Sequence, residues 1–171
     1  MAKVNSQGGG ARLMCDTDGA CETVSRVVSA VDVPVTVKMR RGIDDSAESR
    51  DHFFTILDGA FAAGIAAVTV HGRTVQQRYV GRSSWDFLKE VKRHVGERVI
   101  LGSGDLFSAQ DCLDMIQQTG VDGVTVARGA IGNPWIFQQA HALLNGEPLP
   151  PAPLLLLHEH APDQELSLIH I

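Results

Sequence analysis

The segment Val68-Thr-Val-His-Gly-Arg-Thr-Val-Gln-Gln-Arg-Tyr79 begins with apolar, β-branched residues and continues into a polar tail that contains two arginines. Its beginning is typical of a buried strand, and His71-Gly72 marks the end of that strand. Gly64 and small apolar residues precede it, as expected where a helix turns into a strand. Polar side chains at the carboxyl end of a buried strand are where α/β proteins bind ligands. We therefore expect this end to carry the chemistry of the chain.

Three further segments repeat this arrangement of an apolar strand with a polar end. The predicted strands are 33–40, 66–71, 98–102 and 123–126. The spacing of apolar residues predicts helices at 18–30, 49–63, 85–95, 109–118 and 133–144. Strands that alternate with helices indicate an α/β fold with a parallel sheet, whose strands all end at one edge. About four such units are half of a TIM (β/α)8 barrel, which needs roughly 200–250 residues.

The composition excludes several classes of protein. The chain has 171 residues, 44% of them hydrophobic, and a net charge of −5, so it is globular and is not a strongly basic nucleic-acid binder. Cys15, Cys21 and Cys112 are an odd number without Cys-x-x-Cys spacing. This argues against a disulfide framework or a metal site and suits a reducing cytoplasm. With no apolar run of about 18 residues and no secretory signal after Met1, we expect a cytoplasmic protein without a membrane span.

Two basic residues on predicted strands are candidates for binding. Lys38 lies on an otherwise apolar strand. A lysine there requires an anionic or electron-rich partner such as a flavin ring, or a salt bridge with a neighbouring carboxylate. His71 ends its strand and either donates to a ligand, acts as an acid or base, or bonds to nearby backbone.

Two glycine-containing turns follow the third and fourth strands. They are Ser103-Gly104-Asp105 and Ala127-Arg128-Gly129. Turns between a strand and a helix present free backbone N–H groups that bind phosphate, and Arg128 adds positive charge. Together they favour a phosphate site over two unrelated turns.

Loops at the same expected edge are rich in arginine. The residues concerned are Arg40, Arg41, Arg73, Arg78 and Arg82, with Tyr79 among them. Arginines beside an exposed aromatic ring are typical of a surface that binds the RNA backbone and stacks a base. The alternative is a solvated basic loop. Trp135 and Phe137, by contrast, are expected in the core.

Four segments, taken together, resemble the tRNA-dihydrouridine synthases, which are flavin enzymes on a (β/α)8 barrel. The segments are Pro-Val-Thr-Val-Lys-Met-Arg at 34–40, Val-His-Gly-Arg-Thr at 70–74, Gly-Asp at 104–105 and Gly-Ala-Ile-Gly-Asn-Pro-Trp-Ile-Phe at 129–137. Their order and spacing resemble the family from about Met1 to Pro153, most closely its bacterial branch related to DusB. The resemblance implies the C-terminal half of the barrel.

The resemblance also implies roles for individual residues. Lys38 and His71 would contact FMN, and the turns at Ser103, Gly104 and Asp105 and at Ala127 and Arg128 would bind its phosphate. The family usually has asparagine at position 103 and glycine at position 127, so the phosphate site is altered here. The residues implied to face tRNA are Arg40, Arg73, Arg78 and Tyr79.

In the implied reaction, NADPH reduces FMN, the flavin gives hydride to C6 of a uridine in tRNA, and a cysteine protonates C5. The family signature would place that cysteine two residues before Met1. None of Cys15, Cys21 and Cys112 matches it, so no catalytic residue is assigned within the chain. We expect the isolated chain to be inactive.

The expected organisation has three parts. Residues 1–146 form a partial FMN-binding barrel domain, and 147–164 form a proline-rich linker with the start of a helical tRNA-binding domain. Residues 165–171 resemble a translated sequencing adapter.

Two other functions remain open from the sequence. One is an FMN barrel oxidoreductase that acts on a small molecule, of the dihydroorotate dehydrogenase kind. The His-Gly-Arg-Thr segment and the arginine-rich loop argue against it. The other is a non-catalytic half-barrel that dimerises into a binding scaffold.

Overall fold

The computed structural model describes residues 9–150, in which helices and strands alternate along the chain. A 3₁₀ turn, Gly10–Cys15, comes first, and a second one, Arg128–Ala130, follows the last strand. The main elements are α1 (Thr17–Ala30), β1 (Thr36–Arg40), α2 (Ala47–Ala62), β2 (Ala67–His71), α3 (Trp85–Val95), β3 (Val99–Ser103), α4 (Ala109–Thr119), β4 (Gly123–Thr125) and α5 (Ile136–Asn145).

Serine side chains begin three of the helices that follow strands. Ser46, Ser84 and Ser108 each accept a hydrogen bond from the backbone N–H three residues later. At α4 the Asp111 carboxylate also accepts from the Ser108 N–H, which completes a capping box. These caps satisfy N–H groups that have no partner inside a helix, so each crossover helix begins at a defined residue after its strand.

The four strands form one parallel sheet in the order β1-β2-β3-β4. Arg40 lies opposite His71, His71 opposite Ser103, and Ser103 opposite Thr125. Paired residues of a parallel ladder point to the same face, so these four side chains form one row at the carboxyl ends of the strands. The predicted α/β fold of four parallel strands alternating with helices is confirmed, and it corresponds to part of a TIM barrel.

The hydrophobic core lies between one face of this sheet and the helices. Val68, Val70 and Ile100 of the sheet are fully buried there. The largest buried side chains of the helices are Phe53, Leu57, Leu88, Met115 and Ile136. Within residues 9–150 the opposite face of the sheet carries no helix, and Thr36, Lys38 and Val99 are exposed on it. One face of the sheet is therefore apolar and packed against the helices, and the other is exposed and partly polar.

The sequence predicts Phe137 in the core, but in the structure it lies at the surface. It is 50% exposed, whereas the preceding Ile136 is completely buried and Trp135 is partly buried. Successive residues of a helix point in different directions, so only one of these two apolar neighbours can face α4.

The predicted tail at 165–171 and most of the predicted linker at 147–164 lie outside the described residues. Within residues 9–150, no helix has the length and apolar character needed to cross a membrane.

Candidate active site at the carboxyl edge of the sheet

The carboxyl edge of the sheet gathers the basic residues that the sequence analysis singled out on strands. Lys38 and Arg40 are two residues apart on β1, so both lie on the open face with His71. The Arg40 guanidinium donates from Nη1 to the carbonyls of Thr74 (2.9 Å) and Arg78 (3.2 Å). These bonds join the end of β1 to the loop after β2. The loop is thereby held over the edge of the sheet.

Burial and neighbouring positive charge lower the pKa values of two basic groups at this edge. The pKa of His71 is lowered to about 4, chiefly by burial and then by the positive charges of Arg40, Lys38 and Arg73. The pKa of Lys38 is also below its ordinary value, because the surrounding protein displaces hydration and Arg40 has the same charge. His71 is therefore a neutral imidazole at pH 7, with one nitrogen that donates and one that accepts.

A direct contact with tRNA would require the Arg73 side chain to be exposed to solvent, but it is buried. It is only 3% exposed, and its Nη2 donates to both carboxylate oxygens of Asp105, at 2.6 and 2.9 Å. Nε and Nη2 also donate to the Gly81 carbonyl, at 3.1 and 2.6 Å. The tRNA contact of Arg73 stays a prediction, and in this chain its guanidinium joins the loop after β2 to the turn after β3.

The turn after β3 has an unusual backbone. Gly104 has φ +119° and Asp105 has φ +58°, a left-handed conformation that is uncommon for a residue other than glycine. A Cβ atom at Gly104 would lie 2.7 Å from Cβ of Ser83 and 2.9 Å from Cε1 of His71. Glycine is required there because the two loops and the imidazole meet at that point.

The Asp105 carboxylate is held as an anion. Its Oδ2 accepts from the Ser83 backbone N–H at 2.7 Å. Burial acts to raise the pKa of Asp105, but the bonds from Ser83 and Arg73 and the charges of Arg73 and Arg128 outweigh it and leave the pKa below its ordinary value. Since Arg73 neutralises this carboxylate at close range, the region keeps a net positive charge from Arg128.

The two predicted phosphate turns pack directly against each other. A Cβ atom at Gly129 would lie 2.9 Å from the carbonyl carbon of Leu106 and 2.9 Å from Cα of Phe107. The backbone after β4 therefore runs against the backbone after β3. The structure brings Ser103, Gly104, Asp105 and Arg128 to one place, as expected from their strand order, and Ala127 lies exposed beside them.

Arg128 lies next to two exposed aromatic rings. Its guanidinium carbon is 4.7 Å from the centre of the Tyr79 ring and 5.2 Å from that of Phe107. Its Nη2 is also 3.6 Å from Oδ1 of Asp105. Arg78, which precedes Tyr79, is exposed and has φ +49°.

Three residues of this site were missed by the sequence analysis. Ser83 anchors Asp105, Phe107 contacts Arg128, and Thr125 completes the row at the strand ends. Only Thr125 could have been found from the sequence. It lies two residues after Gly123 on the predicted fourth strand, and alternate residues of a strand share a face. Ser83 and Phe107 lie in loops whose path depends on the tertiary structure.

Several buried polar atoms at this edge have no hydrogen-bond partner in the described part of the chain. They include Nδ1 of His71, Nη1 of Arg73 and Oγ1 of Thr125. Buried polar groups are normally paired, so this edge matches a ligand that both donates and accepts hydrogen bonds. Among residues 9–150, no cluster of histidine, cysteine and carboxylate side chains could hold a metal ion.

Two of the cysteines lie on helices and not on the strands that form this row. Cys21 is on α1, and Cys112 is buried in α4. Burial raises the pKa of both thiols, and the carboxylates of Asp18 and Asp111 add to the effect at Cys21 and Cys112, respectively. Neither is an activated thiolate.

Comparison with known proteins places the chain in a family. Residues 1–169 match the dihydrouridine synthase (Dus) family. A probable tRNA-dihydrouridine synthase of Mycobacterium tuberculosis is 42% identical over 159 residues, which are 90% of this chain and 39% of that protein. tRNA-dihydrouridine synthase B of Xanthomonas campestris is 39% identical over 158 residues, 92% of this chain and 46% of that protein.

The protein of the same name from Pseudomonas aeruginosa is 39% identical over 153 residues, 89% of this chain and 45% of that protein. The chain thus spans less than half the length of these relatives. The matched region includes the strands and turns that build the polar edge. The chain belongs to the dihydrouridine synthase family.

Proposed function

We propose that this chain is part of an FMN-dependent enzyme that reduces the C5=C6 bond of a uridine in tRNA, with NADPH as the reductant. The observation that carries the proposal is the convergence of Lys38, His71 and Arg128 on one edge of a parallel sheet. Family membership supports the reaction, because the relatives are named for it.

The residues at this edge fit FMN in their chemistry. FMN has ring nitrogens and carbonyls that complement Nδ1 of His71 and Oγ1 of Thr125, both buried and unpartnered in the described residues. Its phosphate suits the Arg128 guanidinium and the two packed turns. When bound, FMN supplies the hydride chemistry, and the protein supplies binding and orientation.

Lys38 and His71 have different tasks in this proposal. The Lys38 ammonium is a point charge on the open sheet face and stabilises negative charge that develops on a ligand next to it. His71 is neutral at pH 7, so it orients a ligand through one hydrogen bond without competing for that charge.

The tRNA is proposed to approach over the loop after β2. Arg78 and Arg82 are exposed there, and Arg40 is fixed at the loop base by its bonds to two carbonyls. Cationic side chains at such positions contact the RNA backbone, and the target base leaves its stack to reach the sheet edge. We do not assign this role to Arg73, whose side chain is 3% exposed.

The test joins this chain to the amino-terminal part of the Mycobacterium tuberculosis relative, of which the match covers 39%. Dihydrouridine is measured in tRNA from cells without other synthases. We expect product from the parent chimaera and, for Lys38→Met, a rate lowered about 100-fold, typical for loss of one electrostatic stabiliser. Lys89→Met removes an exposed lysine from α3 and should leave the rate unchanged.

Three results would decide against the proposal. One is a folded, FMN-loaded chimaera that leaves tRNA unmodified. Another is equal loss of rate in Lys38→Met and Lys89→Met. The third is oxidation of dihydroorotate by a chimaera that ignores tRNA, which would favour the small-molecule oxidoreductase. The 171-residue chain alone is proposed to form no dihydrouridine, since none of its three cysteines matches the catalytic cysteine of the family signature.

A further inference from the structure

The Arg128 guanidinium is fixed by three groups from two different loops. Tyr79, on the loop after β2, and Phe107, on the turn after β3, contact it at 4.7 and 5.2 Å. Asp105 lies 3.6 Å from its Nη2. Tyr79 is 62% exposed and Phe107 is 54% exposed, so neither ring is held there as part of the core.

Aromatic rings contact a guanidinium through its flat faces. Its N–H groups lie in the plane of the guanidinium and point outward from its edge. Such contacts restrict the side chain and leave part of the N–H edge free for an anion. A phosphate takes two parallel hydrogen bonds from such an edge, so the fixed orientation matters.

The charge of the surroundings also favours an anion at Arg128. The Asp105 carboxylate lies 3.6 Å from Arg128, and Arg73 donates to both of its oxygens at 2.6 and 2.9 Å. Arg73 therefore offsets the repulsion that Asp105 would exert on a phosphate. The three side chains together retain one positive charge.

We propose that Tyr79 and Phe107 are positioning residues that hold Arg128 ready for the phosphate of a flavin nucleotide. The inference rests on the proposed function for the identity of the nucleotide. It gives Tyr79 a task different from the tRNA contact implied by family resemblance, and it assigns a task to Phe107, which the sequence analysis left without one.

The experiment compares FMN with riboflavin, which has the same ring system but no phosphate. The affinity of the full 171-residue chain for each flavin is measured from the change in flavin fluorescence. The ratio of the two dissociation constants reports the phosphate contact alone. We expect the unmodified chain to prefer FMN by about ten-fold or more, and Arg128→Met to remove that preference.

The variants separate ring contacts from general packing. Tyr79→Leu and Phe107→Leu keep an apolar side chain but remove the ring, and each should lower the preference for FMN about two- to five-fold. Tyr79→Phe and Phe107→Tyr keep a ring and should retain the preference. Phe137→Leu is the matched control, because Phe137 is a similarly exposed phenylalanine and the rings that Arg128 lies over among the described residues are Tyr79 and Phe107.

Four outcomes would overturn the inference. Two of them concern the unmodified chain: equal affinity for FMN and riboflavin, and binding of neither flavin. The other two concern the leucine variants: dissociation constants that do not change in either variant, and affinities for FMN and riboflavin that fall by the same factor. The last result would mean that the rings stabilise the loops without orienting Arg128. Dihydrouridine formation is measured separately on the chimaera. A chain that prefers FMN in a chimaera that forms no dihydrouridine would contradict the proposed function and leave this inference standing.

Discussion

The imidazole of His71 shows how neighbours at the end of a strand control the charge of one side chain. Its ordinary pKa is 6.5, and burial beside three cations lowers it to about 4. Protonation is therefore easier in the unfolded chain than in the folded one. The contribution of the neutral ring to the free energy of unfolding is fully present above pH 6.5, the ordinary pKa. It is lost as the pH falls from 6.5 toward 4.

Replacement of His71 by asparagine should make the protein less sensitive to mild acid. Between pH 7 and pH 5 the unmodified chain is expected to lose about 1–2 kcal/mol more of its free energy of unfolding than His71→Asn. Urea denaturation at both pH values measures this difference. Because the two chains share all other titrating groups, the same loss in both would show that His71 titrates normally.

The sequence identified side chains of this edge more readily than their contacts. Lys38 and His71 could be selected because a basic residue on an apolar strand is conspicuous. The burial of Arg73 could not be foreseen, since it depends on Asp105, 32 residues later, and on a loop that folds back to Gly81. Phe107 was overlooked for the same reason.

The turns after β3 and β4 are connecting segments whose backbones pack against each other. Gly129 allows the backbone after β4 to lie against Leu106, and the next residue, Phe107, contacts Arg128. The position of the Arg128 side chain thus depends on a contact between two main chains. A side chain at Gly129 would move backbone atoms, which yield less easily than a flexible side chain.

Gly129→Ala should therefore destabilise the protein by about 2–3 kcal/mol, as expected when a methyl group is forced into packed atoms. Gly123→Ala, on the adjacent β4, is the matched control. Its Cβ would meet only the end of the Leu101 side chain, at 3.0 Å, so the cost should be below about 1 kcal/mol. Denaturant titrations measure both, and equal costs would contradict the role given to the packed turns.

Helices and strands were predicted equally closely, each end lying within three residues of the observed one. The prediction of 85–95 for α3 coincides with Trp85–Val95, because its apolar residues follow a regular helical spacing. β1 was predicted from residue 33 but begins at Thr36, where its pairing with Ala67 of β2 starts. The beginning of a strand depends on its partner, which local sequence does not specify.

In the described molecule as a whole, the sheet ends at β1 on one side and at β4 on the other. Strand edges with free N–H and carbonyl groups pair readily with other chains. The bonds from Ala66 N–H to the Val35 carbonyl and from Arg41 N–H to the His71 carbonyl show that odd-numbered residues of this segment face β2. The alternate residue Thr36 therefore turns its N–H toward the free edge.

The 171-residue chain is expected to self-associate increasingly with concentration. Thr36→Pro should reduce this association, because it removes a donor from the free edge and leaves the ladder with β2 intact. Val37→Pro would instead remove a donor that faces β2 and should lower the melting temperature. Light scattering coupled to size exclusion measures the mass, and a monomer at every concentration would contradict the expectation.

Alternation along the strands also determines which mutations the fold and the site can each tolerate. Val68 and Val70 face the helices, whereas Thr69 and His71 face the open side. Sequence drift at the first pair can change thermal stability without altering the site, and drift at the second pair can change ligand preference without disturbing the core. A slip of β2 by one residue would exchange the two sets, so a misaligned strand would lose both core and site together.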